Sequence, residues 1–295
     1  MIEIRRLADA EQPLVLPLLG RCFPDYWEQI AATKKAMPFD EISFAALDDG
    51  KPVGHCGVVV YRVSDGRGGQ CAMGGIASVA VAPEFRGRKI AASLCEAVAA
   101  WAENEPEMVS LPLYTGLFRV YESVGWRRFD PAPPEFARGR GQAAPLSWKP
   151  GTALDEAEKV RIAMLYAAMP DYPGKVARSF DGRGITDWPR IFAEPEFSFA
   201  LADEAYAVRS QETLAEAGFL PDLPTRERAE FLAAALGPEG SDMLLPPPAV
   251  AGIDLERGAA HGDPMHGERV MVRELKGGAF HRERPDIFYS LIDKF

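Results

Sequence analysis

The sequence predicts an α/β chain made of two similar halves. Three observations carry this. Apolar, β-branched runs alternate with helical patterns through residues 1–130. A proline-rich stretch from Pro131 to Gly151 then interrupts them. After it, the order helix, helix, hairpin, strand, helix, strand, strand is repeated in fainter form. The length of 295 residues is comfortable for two domains, and 47% hydrophobic with 26% charged residues sets aside disorder as a whole-chain description.

The elements read in order as follows. Ile2 to Leu7 is a short strand. Ala10 to Cys22 and Tyr26 to Ala36 carry helical patterns, with Pro24 breaking between them. Ser43 to Leu47 and Val53 to Val63 flank the turn residues Asp48-Asp49-Gly50-Lys51, a hairpin signal. Asp65 to Gly69 is a second turn, and Ala72 to Ala82 a third apolar run, ended by Pro83. From Arg88 to Glu103, Ile90, Leu94, Val98 and Trp101 recur at the spacing of one helical face. Met108 to Leu111 is a strand, Leu117 to Val124 a short helix stopped by Gly125, and Trp126 to Phe129 a further strand. The stretch Pro131 to Gly151 holds five prolines and three glycines and reads as a linker. In the second half, Leu154 to Met169, Ile185 to Phe192 and Thr225 to Leu236 are helical. Phe197 to Ala202 and Ala205 to Arg209 form a hairpin, Thr213 to Phe219 is a strand, and Met243 to Leu245, Arg269 to Arg273 and Ile287 to Ile292 are late strands. The expected limits are a first domain at 1–135, a linker at 136–150 and a second domain at 151–295.

Composition excludes several function classes. The formal charge of −10 and pI near 5.1 argue against nucleic acid or an anionic membrane surface as partner. No run approaches the 18 apolar residues of a spanning helix, and the start MIEIRRLADAEQPL lacks the basic and apolar regions of a signal peptide, so a cytoplasmic protein is expected. Cys22, Cys56, Cys71 and Cys95 form no CxxC pair, and His55, His261, His266 and His281 are scattered. Reduced, mostly buried thiols and no metal site are therefore expected.

The segment from Gly75 to Trp101 carries the chemistry. A buried strand ends at Pro83, the basic loop Glu84-Phe85-Arg86-Gly87-Arg88-Lys89 follows, and an amphipathic helix begins at once. Backbone N–H groups at a helix start lack intrahelical acceptors and favour an anion. With Arg86, Arg88 and Lys89 in the same turn, a diphosphate is the expected ligand.

The run Arg86-Gly87-Arg88-Lys89-Ile90-Ala91 resembles the central motif of the GNAT acetyltransferases, Arg/Gln-x-x-Gly-x-Gly/Ala after a V-x-P strand end. It departs from that motif at Lys89, where the family usually has glycine. Tyr121-Glu122-Ser123-Val124-Gly125-Trp126 resembles the family's Y-x-x-x-G-F/W motif. The resemblance covers residues 1–130. It implies a mixed, mostly antiparallel central sheet flanked by helices, with a degenerate second copy in the second half. It implies acetyl-CoA as co-substrate, held by Val79, Ala80, Val81, Arg86, Gly87, Arg88, Lys89, Ile90 and Ala91, with Gly116 and Leu117 nearby. It also implies that Tyr121 protonates the departing thiolate. GGIASVAVAPEFRGRKIA is most similar to the tandem-GNAT acetyltransferases of the enhanced-intracellular-survival type, though this chain is too short for their third, sterol-carrier-like domain. In that type the terminal carboxylate serves as base, which would fall on Phe295. The second half has no basic loop before its Thr225 helix, since Phe219 to Pro224 offers Asp222 and no cation.

The general base is the gap in this pattern, because Ile76 to Val81 holds no acid and no histidine. Candidates are His55, Asp25, Glu28, Asp40, Glu41 and the terminal carboxylate. Phe23, Tyr26 and Trp27 among the early acids suit a cationic amine, or equally a helix packing face. The expected activity is direct acetyl transfer to a small-molecule or peptide primary amine. A non-catalytic CoA sensor or scaffold, or a transferase of longer acyl or aminoacyl groups, are the alternatives, and an oligomer is compatible with all three.

Overall fold

The computed structural model describes residues 1–24, 41–129, 134–139, 144–181, 186–262, 267–276, 278, 280–283 and 287–289. Two seven-stranded, mostly antiparallel sheets organise them, flanked by helices. The first sheet has the order β1 (Ile2–Arg6), β2 (Glu41–Asp48), β3 (Lys51–Ser64), β4 (Gln70–Val81), β5 (Met108–Thr115), β14 (Arg269–Glu274), β6 (Arg127–Arg128). The second has the order β13 (Leu255–Ala259), β7 (Glu135–Gly139), β12 (Ser241–Met243), β11 (Thr213–Phe219), β10 (Ala205–Ser210), β9 (Phe197–Leu201), β8 (Lys149–Pro150).

The same local rules build both sheets. The β2–β3 hairpin turns on Asp49 and Gly50, both with positive φ, at 47° and 78°. A strand, a helix and a parallel strand then follow in each half. These are β4, α2 (Ile90–Ala102) and β5 in the first, and β11, α6 (Thr225–Leu236) and β12 in the second. The pairs β4–β5 and β11–β12 are the only parallel ones among the described strands. A connection of this length suits the helix that crosses between parallel neighbours. The remaining helices are α1 (Leu16–Cys22), α3 (Phe118–Glu122), α4 (Glu156–Ala168), α5 (Trp188–Ala193), α7 (Pro247–Val250) and α8 (Phe280–Glu283). Helix α4 begins with a capping box, Asp155 accepting from Glu158 N at 2.8 Å and Glu158 accepting from Asp155 N at 3.0 Å. Residues 9–15 wind as a 3-10 turn, in keeping with Pro13 inside the expected Ala10–Cys22 helix.

The halves exchange strands. β6 is followed by β7, which crosses to the second sheet and sits between β12 and β13. β13 is followed in turn by β14, which crosses to the first sheet and sits between β5 and β6. The limits at 135 and 150 therefore do not coincide with the sheet edges. Residues 136–150, expected as linker, contribute β7 and β8. Arg269 to Arg273, expected as a late strand of the second half, completes the first sheet. Of the strand expected at Ile287–Ile292, the described part, 287–289, is not a strand, and the rest lies outside the described residues, as does the helix expected at Tyr26–Ala36.

The exchange is held by burial and by a polar clasp. Val270, Met271 and Val272 are buried, and a single apolar cluster joins Tyr61, Val63 and Met73 to Val176, Val270 and Ile287. Ser64 and the 174–177 segment exchange backbone bonds, Ser64 N to Lys175 O at 2.9 Å and Gly174 N to Ser64 O at 3.0 Å. Glu274 accepts from Arg127 at 3.0 Å and from His281 N at 2.8 Å, and these partners hold its carboxyl below the usual range against the upward push of burial. A fragment ending at residue 135 would leave the β5 edge and the face of β6 unpaired. Such a fragment is expected to give no cooperative thermal transition by circular dichroism, whereas the full chain melts cooperatively. A fragment melting like the full chain would show that the exchanged strand is dispensable.

Candidate functional site

β4 and β5 run side by side only at Ala72–Met108 and Met73–Ser110, and beyond that no register pair joins them. The β5-facing edge of β4 after Met73 thus has no strand against it, and Ala77 to Val79 and Val81 are half-buried. On its other edge β4 stays paired with β3, but with a bulge. His55 pairs with Ala80 and Gly57 with Ala77, so Ser78 and Val79 stand opposite Cys56 alone. Ser78 takes a φ of 51°, a left-handed conformation that costs a non-glycine residue about 1 kcal/mol.

Downstream, Pro83–Phe85 makes one 3-10 turn and the chain reverses through Gly87 (φ 77°) and Lys89 (φ 61°) before α2 begins at Ile90. A side chain at 87 would meet nothing within 4 Å, so its glycine answers to the backbone angle and not to crowding. Arg86, Gly87, Arg88 and Lys89 are exposed. Arg86 Nε donates to Val81 O at 3.1 Å, tying the loop to the strand end. Arg88 donates to Glu84 O at 3.4 Å and lies 4.8 Å over the Phe85 ring. From α1, Arg21 clasps both Glu84 oxygens at 3.0 and 2.8 Å, and this pairing lowers the Glu84 carboxyl.

On the far side of the parting, α3 carries Tyr121, which is 8% exposed. Burial raises its phenol well above the ordinary value of 10. The nearby Cys95 and Cys56 thiols add to this, and a hydrogen bond with Thr115 opposes it. Thr115 Oγ1 also accepts from Leu117 N at 2.8 Å, fixing the turn between β5 and α3. Trp126 Nε1 donates to Leu111 O at 2.7 Å, and Arg273 from β14 donates to Val124 O at 2.5 Å. The exchanged strand therefore braces the end of the tyrosine helix.

These parts surround one cavity of about 610 Å³. Val79, Ala80 and Val81 form one wall. Arg86, Gly87, Lys89, Ile90 and Ala91 line the loop side, and Leu117 and Tyr121 the opposite wall. Arg88 and Gly116 are not among the lining residues, and Gly116 lies instead toward Gly267 O. Cys22, Phe23, Val120 and Ser123 line it without having been singled out for the cofactor. Cys22 and Phe23 close α1 far from the motif in sequence, whereas Val120 and Ser123 flank Tyr121 and follow from its helix.

The candidate bases fare differently. His55 is fully buried, with Nδ1 at 2.9 Å from Ser78 O and Nε2 at 3.2 Å from Ser43 Oγ, so it is not placed to take a proton from an entering amine. Glu41 is 4% exposed, and its Oε2 lies 2.6 Å from where a Cβ on Gly57 would stand, one pair before the bulge. Asp25, Glu28, Asp40 and Phe295, with Tyr26 and Trp27, lie outside the described residues. Among the described residues no group of His, Cys, Asp or Glu suits a metal ion, and no helix is long and apolar enough to cross a membrane.

The corresponding place in the second half is built differently. Between β11 and α6, Leu220 to Pro224 holds Asp222 and no base. On β11, Glu216 is buried and paired with Arg178 at 2.7 and 2.9 Å, and it accepts from Tyr206 at 2.7 Å.

Residues 13–126 match the model of the acetyltransferase (GNAT) family, so the first half of the chain carries a GNAT domain. Among solved structures, a GCN5-related N-acetyltransferase from Kribbella flavida is similar over 95% of this chain and 72% of its own, at 16% identity and a TM-score of 0.62. One from Anabaena variabilis is similar over 92% and 72%, at 14% identity and a TM-score of 0.59. Eis1 from Mycobacterium abscessus is similar over 93% and 73%, at 13% identity and a TM-score of 0.55. At these identities the likeness is one of fold, and it extends across both halves. No curated protein matches the chain in sequence.

Lys89 is the irregular position of the loop. Standing where the family motif usually has glycine, it adopts the left-handed conformation that glycine takes freely. Lys89→Gly is therefore expected to raise stability by about 0.5–1 kcal/mol, read as an upward shift in melting temperature, while Lys89→Val lowers it. A glycine variant no more stable than the parent would show that the angle costs nothing.

Proposed function

We propose that this chain is an acyl-CoA-dependent N-acyltransferase whose centre is the cavity of the first half, moving an acetyl group from acetyl-CoA directly to a primary amine. The observation that carries this is the convergence on one cavity of three features: an unpaired, bulged strand edge at Val79–Val81, a cationic helix start at Arg86–Ala91, and the buried phenol of Tyr121. The volume and the exposed cations fit a diphosphate-bearing ligand, and the strand edge fits its amide-containing arm.

Acetyl-CoA, when bound, supplies the activated acyl group. The N–H groups that open α2, with Arg86 and Lys89, hold the diphosphate. The free edge of β4 pairs with the amides of the pantetheine arm and offers backbone N–H groups to the carbonyl oxygen that gains charge during transfer. Tyr121 donates its phenolic proton to the departing sulfur. The amine enters unprotonated, loses its extra proton after attack, and Tyr121 is reprotonated from solvent. Support for an amine acceptor comes from the family, and the reading leaves small-molecule and peptide amines as the classes to test. The tandem arrangement of the Eis type is the subtype this reading favours.

Calorimetry with acetyl-CoA, followed by thiol release with a panel of amines, tests the reading. Binding with no release on any amine would favour a CoA-sensing module, and absence of binding would overturn both. Release with longer acyl-CoA but not acetyl-CoA would shift the donor. Tyr121→Phe is expected to lower kcat by about 10²-fold, with acetyl-CoA affinity changed less than about threefold. Wild-type turnover in that variant would remove Tyr121 from the mechanism.

The acid role has a definite pH signature. Tyr121 works in its protonated form, and burial raises its pKa. Activity is therefore lost only as pH rises through that raised value. The pH–rate profile is expected to climb as the amine deprotonates and to show no falling limb below about pH 10. A falling limb near pH 8 that disappears in Tyr121→Phe would contradict the assignment.

A further inference from the structure

His55 has a place in the sheet that no proton transfer explains. It is fully buried on β3, inside the sheet and off the cavity lining, yet it spends a ring nitrogen on the one strained residue of β4. A carbonyl oxygen only accepts, so the 2.9 Å contact with Ser78 O requires a proton on Nδ1. In the neutral ring Nε2 then accepts from the Ser43 hydroxyl at 3.2 Å, which sets the tautomer and the ring orientation from β2. Three strands are thus linked in a line, Ser43 on β2, His55 on β3 and Ser78 on β4.

The consequence falls on the cavity. Ser78 and Val79 are the two residues set against a single residue of β3, and Val79 is the first residue of β4 to line the cavity. A left-handed serine relaxes toward the ordinary extended form unless something over-determines it. Relaxation would remove the bulge, slip the end of β4 by one residue and turn the Val79–Val81 edge away from the parting. A fixed hydrogen bond to the Ser78 carbonyl opposes that slip from the buried side.

We propose that His55, oriented by Ser43, is a positioning residue that holds the Ser78 bulge and so keeps the free backbone N–H groups of the Val79–Val81 edge facing the reacting carbonyl. This rests on the transferase reading of the cavity, and it adds a residue that never meets the ligand but sets the rate at which the ligand reacts.

The two nitrogens can be tested separately. The side-chain amide of asparagine places its nitrogen where Nδ1 stands, and that of glutamine where Nε2 stands. In the full-length protein, His55→Leu and His55→Gln are expected to lower kcat by about tenfold or more, with the KM for acetyl-CoA within about threefold of the parent, because the diphosphate loop is untouched. His55→Asn is expected to recover most of the loss, and Ser43→Ala to fall between. Residue-resolved amide hydrogen exchange provides a readout that needs no turnover: exchange at Val79 and Ala80 is expected to quicken in His55→Gln and to stay near the parent rate in His55→Asn.

Equal kcat and equal exchange in glutamine and asparagine variants that melt like the parent would overturn the proposal. So would a loss confined to KM. If the wild-type protein acetylates no amine, the transferase reading fails by itself, and the exchange contrast still decides whether His55 holds the bulge. If His55→Leu does not fold, the asparagine–glutamine contrast carries the decision.

Discussion

The parting of β4 from β5 is the constraint on which the rest of this molecule depends. Two parallel strands normally share an unbroken ladder, and an unpaired strand edge inside a protein leaves backbone donors and acceptors without partners. Here the ladder stops after Met73 and Ser110, and each strand stays in the sheet through its other edge. β5 pairs along its other edge with β14 over six residue pairs, from Arg269–Thr115 to Glu274–Ser110. β4 keeps β3 on one edge and presents the other to the cavity. An edge left in this state suits an extended ligand that carries its own amides, which is why the same feature that weakens the sheet defines the site.

The strand exchange makes the parting tolerable. β14 arrives from the second half, fills the slot between β5 and β6, and brings Arg273 to the carbonyl of Val124 and Glu274 to Arg127. Those contacts fall on the segment immediately after Tyr121. The second half has no basic loop at Leu220–Pro224, and it places the buried Arg178–Glu216 pair on the strand equivalent to β4. Breaking one partner of such a pair is costly, by about 3–5 kcal/mol, so it helps to fix the second copy, whose neighbouring strand β14 braces the first. This division also accounts for likeness to solved structures across more than 90% of the chain, although the family match covers only residues 13–126.

Local patterns were legible in the sequence wherever one segment determined its own structure. The hairpin at Asp48–Lys51, the helix from Ile90 and the strand Thr213–Phe219 lie where alternation and turn residues place them. Of the cavity lining, Arg86, Gly87, Lys89, Ile90, Ala91 and Tyr121 lie in two short motifs, and Val79–Val81 in the strand that precedes the first. What was not legible depended on distant partners. Residues 135–139 read as linker because a five-residue strand between prolines has no pattern of its own, and its neighbours begin at residues 241 and 255. β14 had a strand pattern, but nothing in Arg269–Glu274 says which sheet it joins. The bulge at Ser78 was invisible for the same reason. A serine in a run of small apolar residues gives no sign of a positive φ until His55 and Ser43 are seen beside it.

Ser78 and Lys89 pose one physical question at two ends of one wall. Both are non-glycine residues held at positive φ, where glycine would fit without strain. At Ser78 the strain is opposed by a buried histidine whose Nδ1 meets the Ser78 carbonyl. At Lys89 the residue is exposed, and it keeps a cation at the helix start that glycine would lack. A glycine at either position would be easier to fold and would do less. At 78 it would keep the carbonyl that His55 meets but widen the backbone's choice of angles, and at 89 it would give up a charge at the helix start. Small local strain accepted in both places is consistent with a wall shaped for binding and aiming a ligand, and not for its own stability.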